Sequence, residues 1–263
     1  MKKITALILL LVVGLFAQKL TIQGSTTVLP IAQAAAEAYM DNNPDADITV
    51  RGGGSGTGIA ALIDGATDIA DASRPMKDKE IKTAREKGVD PVAHVVARDG
   101  IAVVVHPDNP INEISIDDIK AIYTGEISRW DKVGGKGSIV VVSRDAASGT
   151  FEAFNELALH KAKLTDGALM LASNLEIART VAQTPGAIGY VGLGYLTDEI
   201  KALKVNGVLP SEATVNDESY PLARPLYMYT SGNPKGLAKT FIDFVMSTAG
   251  QQIVKEAGFV PVK

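Results

Sequence analysis

Three short polar stretches hold the residues of this sequence best suited to chemistry: Gly24–Thr27 (GSTT), Gly52–Gly58 (GGGSGTG) and Arg144–Thr150 (RDAASGT). Ser-Gly-Thr occurs in two of them, each time opening a stretch patterned as a helix. A helix N-terminus presents unpaired backbone N–H groups and a partial positive charge. Hydroxyls add donors, and glycines let backbone approach a ligand closely. Arg144 supplies a planar, permanently charged fork that suits a tetrahedral oxyanion. Helix capping by Ser or Thr explains any one such turn. Three turns together with an arginine describe an anion site.

Other chemistries fail on spacing. A P-loop needs Lys after its last glycine, but Gly58 is followed by Ile59. Thr57 stands where the dinucleotide pattern begun by Gly52 and Gly54 needs its final glycine, and it also spoils a nucleophile elbow. His94, His106 and His160 are isolated, and no cluster has metal-ligand spacing, so neither metal nor cofactor is expected. Asp68 and Asp71 in DGATDIADASRP pair with one another or serve as turn and cap residues. No nucleophile stands beside a base.

These turns need elements to hold them. Strands are predicted at Leu20–Gln23, Ile48–Val50, Ala93–Ala97, Ile101–Val105, Ile139–Ser143, Ala187–Val191 and Pro225–Tyr229. Helical stripes fall between them: Ile59, Leu62, Ile63 and Ala66; Phe151, Phe154 and Ala158; Leu237, Phe241 and Phe244. Pro30 suits the first turn of an Ala-rich helix. Such alternation predicts an α/β architecture with largely parallel sheets, and in open α/β sheets ligands bind beyond the carboxyl ends of strands.

Composition bounds the setting. The chain has 263 residues, 46% hydrophobic and 21% charged, with net charge −4, so no basic footprint argues for nucleic acid. Lys2 and Lys3 precede an apolar run from Ile4 to Phe16 that ends near Ala17. That layout predicts a secretory signal peptide over residues 1–17, too short for a comfortable membrane span. Leu15 is bulky where a small residue is preferred, which leaves an uncleaved anchor as the alternative. The absence of cysteine excludes disulfides and a lipid-bearing cysteine. The expected location is periplasmic or otherwise extracytoplasmic.

GSTTVLP, GGGSGTGIAALIDGATDIADASRPM, IYTGEISRW, VVSRDAASGTFEAF and TPGAIGYVGLGYL together resemble the phosphate-binding proteins of bacterial phosphate ABC importers, from about Leu20 to the C-terminus. The resemblance implies a two-lobe periplasmic-binding-protein fold, each lobe a mixed β-sheet flanked by helices, with two crossing strands and inorganic phosphate in the cleft. It implies Thr26, Thr27, Ser55, Arg144, Ser148, Gly149 and Thr150 as phosphate ligands. The best-known members carry an aspartate acceptor where this chain has Ser73, followed by Arg74. Shorter members share the Ser-Arg form, so Ser73 and Arg74 join the implied ligands. The acceptor for the phosphate proton then falls to Asp71 or Asp145.

On this reading residues 18–98 and 225–263 form lobe 1 and residues 99–224 form lobe 2, with crossings near RDGIAVVV and ARPLYMY. The two Ser-Gly-Thr turns then belong to different lobes and meet when the lobes close on one anion. The expected partners are inorganic phosphate and the membrane permease of an importer, and the expected state is a monomer. The alternatives are a binder of sulfate, molybdate or tungstate, a sensing protein that signals without transport, and a secreted phosphate-ester hydrolase. The last would need a nucleophile with its base.

Overall fold

The computed structural model describes residues 18–262. The predicted signal peptide lies outside the described residues. The first half of the chain runs β1 (Gln18–Gly24), α1 (Leu29–Asn42), β2 (Ala46–Arg51), α2 (Ser55–Ile63), β3 (Ile69–Ala72), α3 (Asp78–Glu86), β4 (Pro91–Val105), β5 (Glu113–Ile114) and α4 (Ile116–Thr124). It continues with β6 (Val140–Arg144), α5 (Gly149–Leu157), β7 (Leu169–Leu171), α6 (Asn174–Gln183), β8 (Ala187–Gly192), β9 (Lys201–Ala202) and β10 (Lys204–Val205). The last elements are α7 (Glu212–Asn216), β11 (Ala223–Ser231), α8 (Gly236–Val245) and α9 (Thr248–Glu256).

The strands follow the order β2-β1-β3-β11-β4-β8-β6-β7. Strand β4 belongs to two sheets. Its residues 91–100 pair antiparallel with β11, and residues 101–105 pair antiparallel with β8. The first sheet therefore holds β1, β2, β3 and β11, with β1 parallel to both β2 and β3. The second holds β8, β6 and β7 in parallel. Each sheet is covered on both faces, which gives the two lobes their cores. Ile31, Ala32 and Ala35 of α1 pack with Phe241 of α8 on one face of the first sheet; Ile59 and Leu62 of α2 cover the other. In the second, Ile119 and Ile122 of α4 and Phe154 of α5 lie on one face, and Ile177 and Val181 of α6 on the other.

Two of the predicted strands are one. Ala93–Ala97 and Ile101–Val105 are joined because Arg98-Asp99-Gly100 stays in strand conformation opposite Ala223–Pro225. Asp99 is tolerated there, fully buried, because the side chain of its register partner Arg224 reaches its carboxylate. A buried charge persists only when paired in this way.

Candidate functional site

Each polar turn is shaped by its own sequence before the turns meet. At the end of β1, Gly24 has φ 146°, and a Cβ there would lie 2.2 Å from the Asp71 carbonyl oxygen, so only glycine fits. Ser25 Oγ accepts from the backbone N–H groups of Thr27 (3.1 Å) and Val28 (3.4 Å), which fixes the approach to α1. In the second turn Gly54 has φ 94° and donates its N–H to the Gly24 carbonyl at 2.8 Å. In the third, Asp145 Oδ1 accepts from Ala147 N (3.1 Å), and Ser148 Oγ caps α5 by accepting from Phe151 N (3.1 Å).

An aromatic block supports the third turn from below. Phe154 and Tyr190 stack at 4.0 Å, and Tyr123 meets Phe154 edge-on at 4.9 Å. The Tyr190 hydroxyl accepts from the Arg144 N–H at 3.0 Å and sits 2.9 Å from Ser143 Oγ. Burial pushes its pKa up to about 12, so it remains a neutral phenol.

The two Ser-Gly-Thr turns come together. Gly56 N donates to the Ala147 carbonyl at 2.9 Å, and Thr27 Oγ1 lies 2.8 Å from Thr150 Oγ1. Ser55 Oγ accepts from Ser73 N at 3.0 Å and lies 3.3 Å from Ser73 Oγ. The N-termini of α2 and α5 thus face one another across the lobes, each bringing partial positive charge.

Arg144, only 1% exposed, reaches across to the first turn. Its Nε donates to the Leu171 carbonyl (3.2 Å), and Nη2 donates to the Ala172 carbonyl (2.7 Å) and Thr26 Oγ1 (3.1 Å). Its Nη1 is buried with no hydrogen-bond partner. Burial lowers the Arg144 pKa, the nearby Tyr190 and Asp145 partly offset this, and Arg224 lowers it again. A guanidinium nevertheless keeps its charge in proteins.

Three residues absent from the expected set complete the cluster. Arg224 donates Nε (3.0 Å) and Nη2 (2.8 Å) to Asp99 Oδ2, and Nη1 to the Ser73 carbonyl at 3.1 Å. The same Nη2 reaches Thr150 Oγ1 at 3.1 Å and Thr27 Oγ1 at 3.4 Å. Asp99 Oδ1 accepts from Leu193 N at 2.9 Å. Burial raises the Asp99 pKa, and Arg224 acts against that rise. Asn174, in the first turn of α6, donates Nδ2 to Thr26 Oγ1 (3.1 Å) and Thr27 Oγ1 (3.0 Å). The available signals are a charge pair placed inside apolar strands, and the Ser173–Glu176 capping box that marks the start of α6.

Of the expected ligands, the structure gathers Thr26, Thr27, Ser55, Ser73, Arg144, Gly149 and Thr150 around this cluster, with Ser148 capping the helix beside it. Arg74 is placed differently from the other expected ligands. Its Nη1 and Nη2 each lie 2.8 Å from a Glu80 carboxylate oxygen, and its Nε lies 2.8 Å from Glu152 Oε2. Both terminal nitrogens are thus engaged by Glu80, while the buried Nε stands at ion-pair distance from Glu152 without a hydrogen-bond partner. The candidate acceptors also differ. Asp145 is part of its own turn, whereas both carboxyl oxygens of Asp71 are buried without a hydrogen-bond partner. Burial alone raises the Asp71 pKa well above the ordinary value, with no cation offsetting it.

Arg144 and Arg224 against the Asp99 carboxylate leave a cationic centre, ringed by hydroxyls. Thr26 Oγ1 already accepts two hydrogen bonds, which frees its proton to donate. Such an arrangement suits a compact oxyanion.

Comparison with known proteins identifies the family. Residues 16–249 match the PBP superfamily domain. The phosphate-binding protein PstS of Bacillus subtilis is 41% identical over 249 residues, covering 92% of this chain and 80% of that protein. PstS of Borreliella burgdorferi is 31% identical over 284 residues and covers both chains fully. Among solved structures, a Clostridium perfringens protein crystallised with bound phosphate superposes with a TM-score of 0.88 at 35% identity, covering 94% of this chain and all of that one. An ABC-type phosphate transport receptor from Vibrio cholerae gives a TM-score of 0.76 at 30% identity, covering 92% of this chain and 99% of that one. The chain belongs to the PstS family of phosphate-binding proteins, within the PBP superfamily.

Proposed function

We propose that this protein captures inorganic phosphate between its two lobes, outside the cytoplasm, and delivers it to the permease of an ABC-type importer. The observation that carries this reading is the meeting of the α2 and α5 N-termini around Arg144 and Arg224. A dianion buried there needs hydrogen bonds to nearly every oxygen. The Thr26, Thr27, Ser55, Ser73, Ser148 and Thr150 hydroxyls and the Gly149 N–H supply them, from both sides of the cleft. The names and the bound phosphate of the relatives point to the same ligand.

The lobes are taken as residues 18–98 with 225–263, and residues 99–224, the strand exchange along β4 supporting the first boundary. Closure around the ion creates the surface a permease can recognise. Residues 1–17 serve as a signal peptide. No described helix is long and apolar enough to cross a membrane. The protein acts as a monomer and catalyses no reaction.

Asp71 is assigned as acceptor of the phosphate proton. Its two carboxyl oxygens are buried and have no other hydrogen-bond partner, so in the ionised form they are free to accept from the bound ion. Calorimetry of the chain from residue 18 against phosphate, sulfate, arsenate and molybdate tests the reading. One phosphate site per chain is expected; at micromolar affinity that is about −8 kcal/mol. Absence of phosphate binding, or hydrolysis of p-nitrophenyl phosphate that Ser55→Ala abolishes, overturns it.

A further inference from the structure

The geometry points to a second connection between the lobes, outside the anion cluster: Arg74 and Glu152 form a clasp that sets how long the closed form lasts. This inference rests on the phosphate-capture reading for its ligand. Arg74 directly follows Ser73, and Glu152 lies two residues after Thr150, so each partner adjoins one wall of the site. Arg74 is 5% exposed and Glu152 19% by side chain, which places the pair largely out of solvent.

The two halves of the arrangement differ. Glu80, in the first turn of α3, accepts both terminal nitrogens of Arg74 at 2.8 Å and the Lys77 N–H at 2.8 Å. Burial favours the neutral form of Glu80, yet Arg74 and Lys77 hold its carboxyl below the ordinary value. Arg74, Lys77 and Glu80 all lie between β3 and β4 in the first lobe, so this half persists whatever the lobes do. It fixes the guanidinium in place. The other half crosses the cleft: Glu152, in the first turn of α5, takes Arg74 Nε at 2.8 Å and Lys77 Nζ at 2.8 Å. Opening the lobes breaks only these contacts. A preset fork loses little freedom in meeting its partner, which makes the crossing pair stronger than an ordinary surface pair. Arg74 and Glu152 are therefore positioning residues. In this role they hold the Ser73 and Thr150 turns against one another.

A simple electrostatic role predicts the opposite sign. Glu152 is a negative charge near an anion site, so removing it should tighten binding if charge alone mattered. The clasp predicts faster release. Two cysteines, Lys82→Cys on α3 and Asp117→Cys on α4, give unique dye positions in a chain that has no cysteine. Inorganic phosphate release is then timed by stopped flow in this background with Glu152 and with Glu152→Gln. The expected result is release about tenfold faster in Glu152→Gln, as for loss of one close ion pair largely out of solvent. Lys77→Gln should give a smaller increase, and it keeps the test available if Glu152→Gln folds poorly. Release should accelerate with salt in the parent protein more steeply than in Glu152→Gln. Unchanged or slower release in both variants, or equal salt slopes, overturns the clasp. If the parent protein binds no phosphate, the functional reading fails instead. The interlobe dye distance still judges the clasp, which requires a wider distribution in Glu152→Gln and is overturned by an unchanged one.

Discussion

A Cβ on Gly149 would lie 2.2 Å from Ser55 Oγ, so the two Ser-Gly-Thr turns touch at a position that only glycine fills in the closed form. The same Cβ would come within 2.8 Å of Ser73 Oγ. Gly149→Ala therefore acts on closure more than on folding. Opening the cleft relieves the clash, and Gly149 begins a helix where alanine is favoured. Overpacking of this kind costs about 1–3 kcal/mol, roughly a 5- to 150-fold loss of phosphate affinity. Calorimetry should show that loss while the ligand-free melting temperature holds or rises. A variant that binds as tightly as the parent would mean that the turns do not meet around the ion.

Arg144 is held by the Leu171 and Ala172 carbonyls with Nη1 left unpartnered, so its fork is oriented before any ligand arrives. Arg144→Ala should weaken phosphate binding by about 2–5 kcal/mol, as for a truncated buried charge partner. Arg144→Lys should recover only part of this, because an ammonium cannot serve the carbonyls and the anion in one plane. An unchanged dissociation constant in Arg144→Ala, measured by titration, rules out direct contact.

How far the sequence discloses such a site depends on the range of the interaction. Ser148 and Ser173 cap helices that begin one residue later, and such local signals are visible from the residues alone. So are the strand patterns, as with Ile48–Val50 inside β2 and Ala187–Val191 inside β8. Arg224 and Asn174 are different. Their partners lie 125 residues away at Asp99 and 148 away at Thr26, and nothing in their neighbours announces the pairing. The burial of Asp99 is hidden for the same reason, since its cation lies 125 residues away. Nor do the neighbours of Arg74 announce its pairing with Glu80 and Glu152.

The Asp99–Arg224 pair gives a stability test. Removing one partner of a buried pair leaves the other charge uncompensated, which costs about 3–5 kcal/mol. Asp99→Ala should lower the ligand-free denaturation midpoint by a corresponding amount. Asp99→Ala with Arg224→Met should recover much of the loss, while phosphate binding stays impaired because Arg224 no longer reaches Thr27 and Thr150. Strict additivity of the two substitutions in a double-mutant cycle would contradict the pairing.

Asp71 connects selectivity to pH. Its folded pKa is raised by burial, with no cation acting against the rise. The folded protein therefore keeps a proton that the unfolded chain releases near pH 4, the ordinary value for aspartate. Where the folded state binds more protons, stability falls as pH increases. The stability linked to Asp71 is thus full below about pH 4 and declines above it, through to the raised folded value. Asp71→Asn does not titrate and escapes the decline. It should melt higher than the parent at pH 7.5, with the difference shrinking toward zero near pH 4. The same variant decides the acceptor. Phosphate at neutral pH carries a proton to donate and sulfate carries none, so an ionised carboxylate against the anion admits the first and repels the second. Mismatches that leave buried polar groups unpaired discriminate by factors of about 10⁴–10⁵. Sulfate should fail to displace phosphate from the parent protein and should compete measurably in Asp71→Asn. If sulfate stays excluded from Asp71→Asn, while its melting curve shows the expected pH dependence, Asp71 is only a buried acid and the acceptor lies elsewhere among the hydroxyls.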